Sequence, residues 1–346
     1  MFYKRTLYPK KNKRGRRMKK KLLIFGMLAT LLFAGCGKTK TDGSDYPSKP
    51  MTFISPGGAG GGWDTTIRTV AKVLKDTKLV DVPMPITNRP GGGGGVALSY
   101  LQGQAENEKI VTVYSPPLLL INLNGSSEFG YKDVTPIARL ITDYAAFVVN
   151  KDSKYKSIKQ VMDALKEDPK SIKIGGQSAA GSMDHIQFLM IAKAAGVKDI
   201  NKIDYISFQG GEGPAQLLGG HIDLYSTGLG DVSALLQSGD LIGLAQTSDK
   251  RAGTGELAKI PTCIESGIDA TFFNWRGLFG APDMPEYARK YWEDTLAKMV
   301  ETPEWNEAVV KNGWSKSWAN SEEFETFLEK TNEEYKEILT DIGMLK

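Results

Sequence analysis

The residues best suited to chemistry in this sequence are glycines, which recur in clusters between a strand-like run and a helix-like run. The first cluster, Gly57-Gly58-Ala59-Gly60-Gly61-Gly62, is followed by Trp63, Asp64 and Thr65. Glycine lets the backbone turn through positive φ and lets a ligand approach closely, and the first N–H groups of a helix have no partner inside it. A glycine loop ahead of a helix that Asp64 or Thr65 can cap predicts an anion-binding site.

Four more loops share this placement. A run of five glycines, 91–95, follows a second strand-like segment, and the others span residues 175–185, 208–213 and 227–231. Ligands of open α/β sheets bind where the carboxyl ends of the strands gather. The sequence therefore predicts that the loops converge on one cleft.

Nucleotide and metal sites are disfavoured. No loop contains the P-loop pattern G-x-x-x-x-G-K-[ST]. Gly92-x-Gly94-x-x-Ala97 fits a loose dinucleotide pattern, but no acid lies between Glu108 and Glu128, where the ribose-binding carboxylate belongs. Two distant histidines and no cysteine cluster argue against a metal centre. We expect neither a cofactor nor a metal.

The third loop raises a catalytic alternative. Gly176-x-Ser178-x-Ala180 approaches a nucleophile elbow but lacks the final glycine, and His185 and His221 are the candidate bases. The pattern favours hydroxyl donation from Ser178 and Ser182 to a ligand, with a serine hydrolase using Ser178 as the alternative.

The N-terminus has the pattern of an exported lipoprotein. Basic residues end at Lys21, an apolar stretch follows from Leu22 to Phe33, and Ala34-Gly35 precede Cys36. This order predicts a signal peptide over residues 1–35, lipidation of Cys36 and a flexible tether over 36–50. Met18 is an alternative start. We expect an extracytoplasmic protein anchored to the cell membrane by lipid.

The leader also changes the meaning of the net charge. The chain carries +4, with 44 basic and 40 acidic residues, but eleven basic residues and no acid lie in the first 35 positions. Removing them leaves 33 basic against 40 acidic residues, a net charge of −7. A body of that charge is a poor partner for nucleic acid, which binds basic patches.

Strand-like and helix-like segments alternate along the body, which predicts α/β architecture with parallel βα units in two lobes. The predicted strands are 51–55, 85–88, 110–114, 172–175, 203–207, 222–226 and 241–246. The predicted helices are 64–75, 157–166, 184–195, 214–218, 231–237, 286–300 and 321–339. We expect lobe 1 over residues 51–149 and 271–346, and lobe 2 over 150–270.

An ordered set of motifs resembles the extracytoplasmic receptors of tripartite tricarboxylate transporters, the Bug-type binding proteins. The motifs are Gly60-Gly61-Gly62-Trp63-Asp64, Asn88-Arg89-Pro90-Gly91, Gly181-Ser182-x-Asp184-His185-Ile186, Leu217-Leu218-Gly219-Gly220-His221-Ile222-Asp223 and Asn274-Trp275-Arg276-Gly277. The resemblance covers essentially all of residues 50–346. It implies a periplasmic-binding-protein fold that closes on a carboxylate without catalysis and delivers it to a membrane permease.

Within that family, Trp63 and the segment 274–277 lean toward a citrate-like tricarboxylate. A dicarboxylate, an aromatic carboxylate or an amino acid remains the alternative, and we expect a monomer. The predicted ligand contacts are Gly58, Ala59, Gly60, Gly61, Gly62, Trp63, Asp64, Gly92, Gly93, Gly94, Ser115, Ser178, Gly181, Ser182, Gln209, Gly228 and Asp231. Arg68 and Arg89 either supplement these contacts or face solvent, and Trp63 either walls the cleft or packs.

Overall fold

The computed structural model describes residues 45–208 and 212–346. The predicted lipidation site Cys36 and the predicted ligand contact Gln209 lie outside the described residues.

The described residues form ten strands and ten α-helices. The strands are β1 (Thr52–Ser55), β2 (Ile86–Asn88), β3 (Ile110–Tyr114), β4 (Thr135–Asn150), β5 (Ile174–Gly176), β6 (Tyr205–Ser207), β7 (Leu224–Gly228), β8 (Leu241–Gln246), β9 (Phe273–Gly280) and β10 (Ser315–Ala319). The helices are α1 (Gly62–Asp76), α2 (Gly95–Gln102), α3 (Pro117–Leu123), α4 (Ile158–Glu167), α5 (Met183–Ala194), α6 (Gly213–Leu218), α7 (Ser233–Gln237), α8 (Glu286–Met299), α9 (Pro303–Lys311) and α10 (Ser321–Asp341).

The strands form one sheet in the order β2-β1-β3-β9-β4-β7-β5-β6, with β8 and β10 also paired to β4. Strands β1, β2 and β3 are parallel, and so are β5, β6 and β7. The predicted parallel units are therefore present at the two ends of the sheet. The centre differs, because β4 pairs antiparallel with β7, β8, β9 and β10.

Strand β4 joins the two halves of the sheet. Its 16 residues pair with β9 as far as Tyr144 and with β7 from Ala145 onward. The run 140–149 is buried throughout, as expected for a strand covered on both faces. The predicted lobe boundary at 149/150 stays a prediction, and the change of pairing partner lies five residues earlier.

The apolar side chains of helix α10 recur at helical spacing and form a stripe, which packs against the sheet. Asn320 Oδ1 accepts the Glu323 N–H at 2.9 Å, and the Glu323 carboxylate accepts the Asn320 N–H at 3.1 Å, so the two residues form a capping box at the start of the helix. Phe324 is fully buried, and its ring lies 5.5 Å from that of Trp275 on β9. The stripe is part of the core.

Among the described residues, no helix combines the length and the apolar character that crossing a bilayer requires.

Candidate functional site

A cleft of about 260 Å³ opens where the carboxyl ends of the strands of both halves meet. The loops after β1, β2 and β3 form one wall, and the loops after β5 and β7 form the other. Two side chains of β9, Asn274 and Arg276, complete the lining. Four of the five glycine loops line this cleft, in agreement with the predicted convergence, but none of the described residues of loop 208–213 is in the lining.

Most of the predicted contact residues line the cleft. Those in the lining are Gly58, Gly61, Gly62, Trp63, Gly93, Gly94, Ser115, Ser178, Ser182, Gly228 and Asp231. Ala59, Gly60, Asp64, Gly92 and Gly181 lie outside the lining. That any of these residues contacts a ligand stays a prediction.

The prediction did not include several lining residues: Pro56, Gly57, Pro90, Gly91, Pro117, Gln177, Ala179, Met183, Asp184, Thr227, Asn274 and Arg276. Most of them are neighbours of predicted residues in the same loops, so extending each loop by one or two positions finds them. Asn274 and Arg276 are different, because they lie on β9, a strand that the sequence pattern did not reveal.

Helix α1 begins at Gly62 with Gly61 as its N-cap, and no side chain caps it. The prediction that Asp64 or Thr65 caps this helix is therefore wrong. The Asp64 carboxylate, in the first turn, instead accepts hydrogen bonds from the Gly60 N–H at 2.9 Å, Arg68 Nε at 2.8 Å and Asn88 Nδ2 at 2.8 Å. It fastens the first glycine loop to the end of β2 and leaves the first N–H groups of α1 open to the cleft.

These hydrogen bonds also lower the pKa of Asp64 and hold the side chain of Arg68 against the loop. Burial acts to raise the pKa of Asp64, but the hydrogen bonds from Arg68, Gly60 and Asn88 outweigh it and hold the pKa below its usual value. Arg68 bonds to Asp64 and to Asn88 Oδ1 at 3.1 Å. Its guanidinium supports the loop.

Trp63 both walls the cleft and packs. Its indole Nε1–H donates to Ser115 Oγ at 2.9 Å, and its ring meets Tyr114 edge to face at 5.8 Å. Because Ser115 Oγ accepts this bond, its own hydroxyl proton is available to a group in the cleft.

On the opposite wall, Ser182 is the N-cap of helix α5: its carbonyl accepts the Ile186 N–H at 2.9 Å, but its side chain makes no capping bond. Its hydroxyl is buried, lines the cleft and has no partner among the described residues. The Ser178 hydroxyl already has partners as acceptor and as donor, because its Oγ accepts the Asp184 N–H at 2.7 Å and lies 3.5 Å from the Tyr205 hydroxyl, whose own proton is donated to Ser178 O at 2.8 Å. Of the two predicted serine donors, Ser182 is the one with a free hydroxyl.

The histidines do not complete a catalytic site at Ser178. His185 Nδ1 accepts the Gly181 N–H at 3.0 Å, and its ring stacks on Tyr205 at 4.5 Å. Burial lowers the pKa of His185 to about 4, so the ring is neutral at physiological pH. His221 is exposed. This geometry fits a structural histidine and gives the hydrolase alternative no base.

Arg276 makes a buried ion pair at the floor of the cleft. Its Nη2 lies 2.8 Å from Asp143 Oδ2, and its Nη1 donates to Gly62 O at 3.2 Å and to Thr66 Oγ1 at 2.9 Å. The side chains of Arg276 and Asp143 are 8% and 6% exposed. Arg276 thus links the start of α1 to Asp143 on β4, close to the point between Tyr144 and Ala145 where β4 changes its pairing partner.

The charged side chains in the lining are Asp184, Asp231 and Arg276. Because Asp143 neutralises Arg276, none of the described residues in the lining is an unpaired cation that could attract an anion. Attraction for an anion must come from backbone N–H groups and hydroxyls, which donate hydrogen bonds without carrying net charge.

Asp184 gives the apo protein a pH-dependent stability. Burial raises the pKa of its carboxyl to about 7, whereas an unfolded aspartate titrates near ~3.9. Between these values the folded state holds more protons than the unfolded state, so the free energy of unfolding falls as pH rises from 4 to 7 and then levels.

We expect Asp184→Asn to flatten this slope. The measurement is urea unfolding at several pH values between 5 and 8. Burial raises the pKa of Asp143 to about 6 and also raises the pKa of Asp231, in both cases against the opposing effect of Arg276, and these two carboxyls titrate in both proteins and supply the remaining slope. An unchanged slope in Asp184→Asn would show that Asp184 is already ionised over this range.

Comparisons with known proteins agree with this geometry. A family model described as the tripartite tricarboxylate transporter family receptor matches residues 67–344. The solved structure of a TctC solute-binding protein from Polaromonas, without ligand, is 26% identical, covers 85% of this chain and 99% of its own, and superposes with a TM-score of 0.65.

Two structures from Rhodopseudomonas palustris share the fold at lower identity. MatC with bound malate is 17% identical, covers 85% of this chain and all of its own, and has a TM-score of 0.72. A second protein, with adipate, is 20% identical, covers 86% of this chain and 99% of its own, and has a TM-score of 0.75. The predicted α/β periplasmic-binding-protein fold is confirmed.

Proposed function

Because this chain belongs to the tripartite tricarboxylate transporter receptor family, and so is an extracytoplasmic solute receptor, as its motifs predict, we propose that its ligand is a citrate-like tricarboxylate. The cleft captures this ligand by closure of the two halves and presents it to the membrane permease of such a transporter. Receptor function involves binding and release without a chemical step.

One observation carries the proposal: two helix starts, neither of them capped by the side chain of its N-cap residue, face the same cleft from opposite walls. The start of α1 contributes N–H groups at Gly62 and Trp63, and the start of α5 contributes the N–H of Met183 and the free hydroxyl of Ser182. Each start favours a negative charge through its unpaired donors and the helix dipole. Two such positions across one small cleft suit a ligand that carries a carboxylate at each end.

A dicarboxylate is the second candidate. Two helix starts account for two carboxylates, and the relatives from R. palustris are described with malate and with adipate, both dicarboxylates. The third carboxylate of a citrate-like ligand would be held by Ser115, whose hydroxyl proton is available at the side of the cleft.

Isothermal titration calorimetry with citrate, malate, succinate and adipate tests the proposal. We expect micromolar or tighter binding of at least one, because charge-assisted hydrogen bonds contribute about 1.5–3 kcal/mol each before ordering costs. Citrate binding tighter than any dicarboxylate supports the tricarboxylate. A malate preference would support the second candidate, and no heat of binding across the panel would contradict both.

Ser182→Ala is expected to weaken binding of the carboxylate by about 10- to 150-fold, since one hydrogen bond to a charged group is worth about 1.5–3 kcal/mol. Removing an unpartnered hydroxyl should leave the stability of the apo protein nearly unchanged. Calorimetry measures the affinity and urea unfolding the stability. Ser238→Ala, an exposed serine outside the cleft, is the matched control, and equal affinities of the two variants would remove Ser182 from the binding site.

We also propose that Cys36 carries the lipid that anchors the receptor to the cell membrane. The order of the segments in the sequence supports this proposal: lysines come first, the apolar stretch Leu22–Phe33 follows, and Ala34-Gly35 precede Cys36. We expect wild-type protein to incorporate radiolabelled palmitate and to sediment with membranes, and Cys36→Ser to do neither. Cys263→Ser, at the buried cysteine, controls for nonspecific acylation, and membrane association of Cys36→Ser would contradict the anchor.

A further inference from the structure

The floor of the cleft differs chemically from its two walls, because it offers hydrogen-bond acceptors. Asn274 and Arg276 alternate along β9, so both point to the same side of the sheet. Both terminal nitrogens of Arg276 are bonded to Asp143, Gly62 and Thr66. The polar group that remains at this position is the carboxamide of Asn274.

Asn274 carries an unmet acceptor. The residue is 2% exposed, and its Oδ1 has no hydrogen-bond partner among the described residues. A buried acceptor without a donor costs about 1–3 kcal/mol. Since Asn274 lines the cleft, a donor on the ligand can satisfy it.

Asp231 adds a second acceptor at the same end of the cleft. Its Oδ2 accepts the Thr227 hydroxyl at 3.2 Å, and the carboxyl oxygens have further lone pairs that can accept a donor on the ligand. A β-carbon placed on Gly228 would lie 2.9 Å from Asp231 Oδ2 and 3.6 Å from Asp143 Oδ2. Asp231 is therefore close to Asp143, which pairs with Asn274 in the β4–β9 register.

We propose that Asn274 and Asp231 select a ligand that carries a hydroxyl group on a carbon between its carboxylates, as citrate and malate do. This inference rests on the proposed function, which places the carboxylates at the two helix starts. A third carboxylate at the floor would bring acceptor oxygens against the acceptor oxygens of Asn274 and Asp231, and a methylene group would leave the Asn274 oxygen unpaired. A hydroxyl group can donate its proton to the acceptors at the floor, while the carboxylates of the ligand bind at the helix starts in the two walls.

Two matched ligand pairs test the inference by calorimetry: citrate against tricarballylate, and malate against succinate. Within each pair the molecules differ in the hydroxyl. We expect the hydroxylated member to bind at least about 10-fold more tightly, because a site that hydrogen-bonds a hydroxyl rejects the analogue without it.

Asn274→Ala and, separately, Asp231→Ala should bring the ratio within a pair toward one, mainly by weakening the hydroxylated member. Thermal unfolding of each variant verifies that it is folded, and either folded variant suffices. Equal affinities within both pairs in the wild type would overturn this inference alone. Absence of binding by all four ligands would overturn the proposed function and the inference together.

Aspartate is a further test ligand, because it carries an ammonium group where malate carries its hydroxyl. Aspartate binding more tightly than malate would assign the floor to an ammonium group and overturn the hydroxyl. Malate binding more tightly than aspartate and succinate supports the hydroxyl.

Discussion

Replacing Arg276 by methionine is expected to lower the free energy of unfolding by about 3–5 kcal/mol at pH 8, the cost of leaving one partner of a buried ion pair uncompensated. The partner is Asp143, whose side chain is 6% exposed and whose Oδ2 lies 2.8 Å from Arg276 Nη2. The substitution also removes the bonds from the guanidinium to Gly62 and Thr66. Urea unfolding of the apo protein measures the loss.

The double variant Arg276→Met with Asp143→Asn is the control. It removes both charges and keeps an acceptor for the Tyr144 N–H, which Asp143 Oδ1 binds at 2.8 Å. Replacing a whole buried pair is often nearly neutral, so we expect the double variant to be more stable than the single one. The reverse order would show that the hydrogen bonds of the guanidinium outweigh its charge.

The loss should also shrink as pH falls. In the wild type, burial raises the pKa of Asp143 to about 6 although Arg276 opposes the rise. Without Arg276 the pKa rises further, so the carboxyl is neutral at pH 5 and its burial costs less. A loss in Arg276→Met that is the same at pH 5 and pH 8 would contradict an electrostatic origin.

The pattern of the sequence was enough to place seven of the ten strands among the described residues. Strands β3 and β8 have the predicted bounds, and β1, β2, β5, β6 and β7 lie within about two residues of theirs. These strands are short apolar runs closed by glycine or polar residues, which is the signal that local pattern carries. Helices α1, α4, α8 and α10 follow from the same logic, because their apolar residues recur at helical spacing. Helix α5 is buried on most of its surface and has no such spacing.

The centre of the sheet could not be predicted in this way. Strand β4 reads Thr-Pro-Ile-Ala-Arg-Leu-Ile-Thr-Asp-Tyr-Ala-Ala-Phe-Val-Val-Asn, in which Pro136, Arg139 and Asp143 interrupt the apolar run. Asp143 is tolerated because Arg276, 133 positions away, compensates it. A long-range pair of this kind leaves no local trace, and β9 was missed for the same reason.

The same limit applies to the cleft. Glycine clusters revealed the walls, whose chemistry is local to each loop. The bonds that fix those loops join distant residues: Asp64 to Asn88, Trp63 to Ser115 and Arg276 to Thr66. The bond from Asn88 to Asp64 explains why Asp64 supports the cleft without lining it. The Ser178 hydroxyl is engaged by Asp184 and Tyr205, whereas the Ser182 hydroxyl has no partner among the described residues.

Gly94 is where the shape of the cleft depends most on the absence of a side chain. Its φ is +100°, a conformation that side-chain-bearing residues rarely adopt, and an added β-carbon would lie 3.0 Å from Tyr114 Cε1 and 3.2 Å from Trp63 Cη2. Its carbonyl accepts the Tyr114 hydroxyl at 3.0 Å. Tyr114 is fully buried, and the half-buried Trp63 is bonded to Ser115, so neither ring can move away without disturbing the wall that presents Ser115.

Gly94→Ala is therefore expected to lower the free energy of unfolding by about 1–3 kcal/mol, the cost of a strained backbone. By displacing Trp63 from Ser115, it should also weaken carboxylate binding by at least about 10-fold, which corresponds to one lost hydrogen bond to a charged group. Urea unfolding and calorimetry measure the two effects.

Gly95→Ala is the matched control, because Gly95 has helical φ of −62° and an added β-carbon meets no atom closer than 3.8 Å. There we expect unchanged affinity and a gain of up to about 1 kcal/mol from lower chain entropy in the unfolded state. If both alanine variants behaved alike, the close approach of Gly94 to Trp63 and Tyr114 would not be what shapes this wall of the cleft.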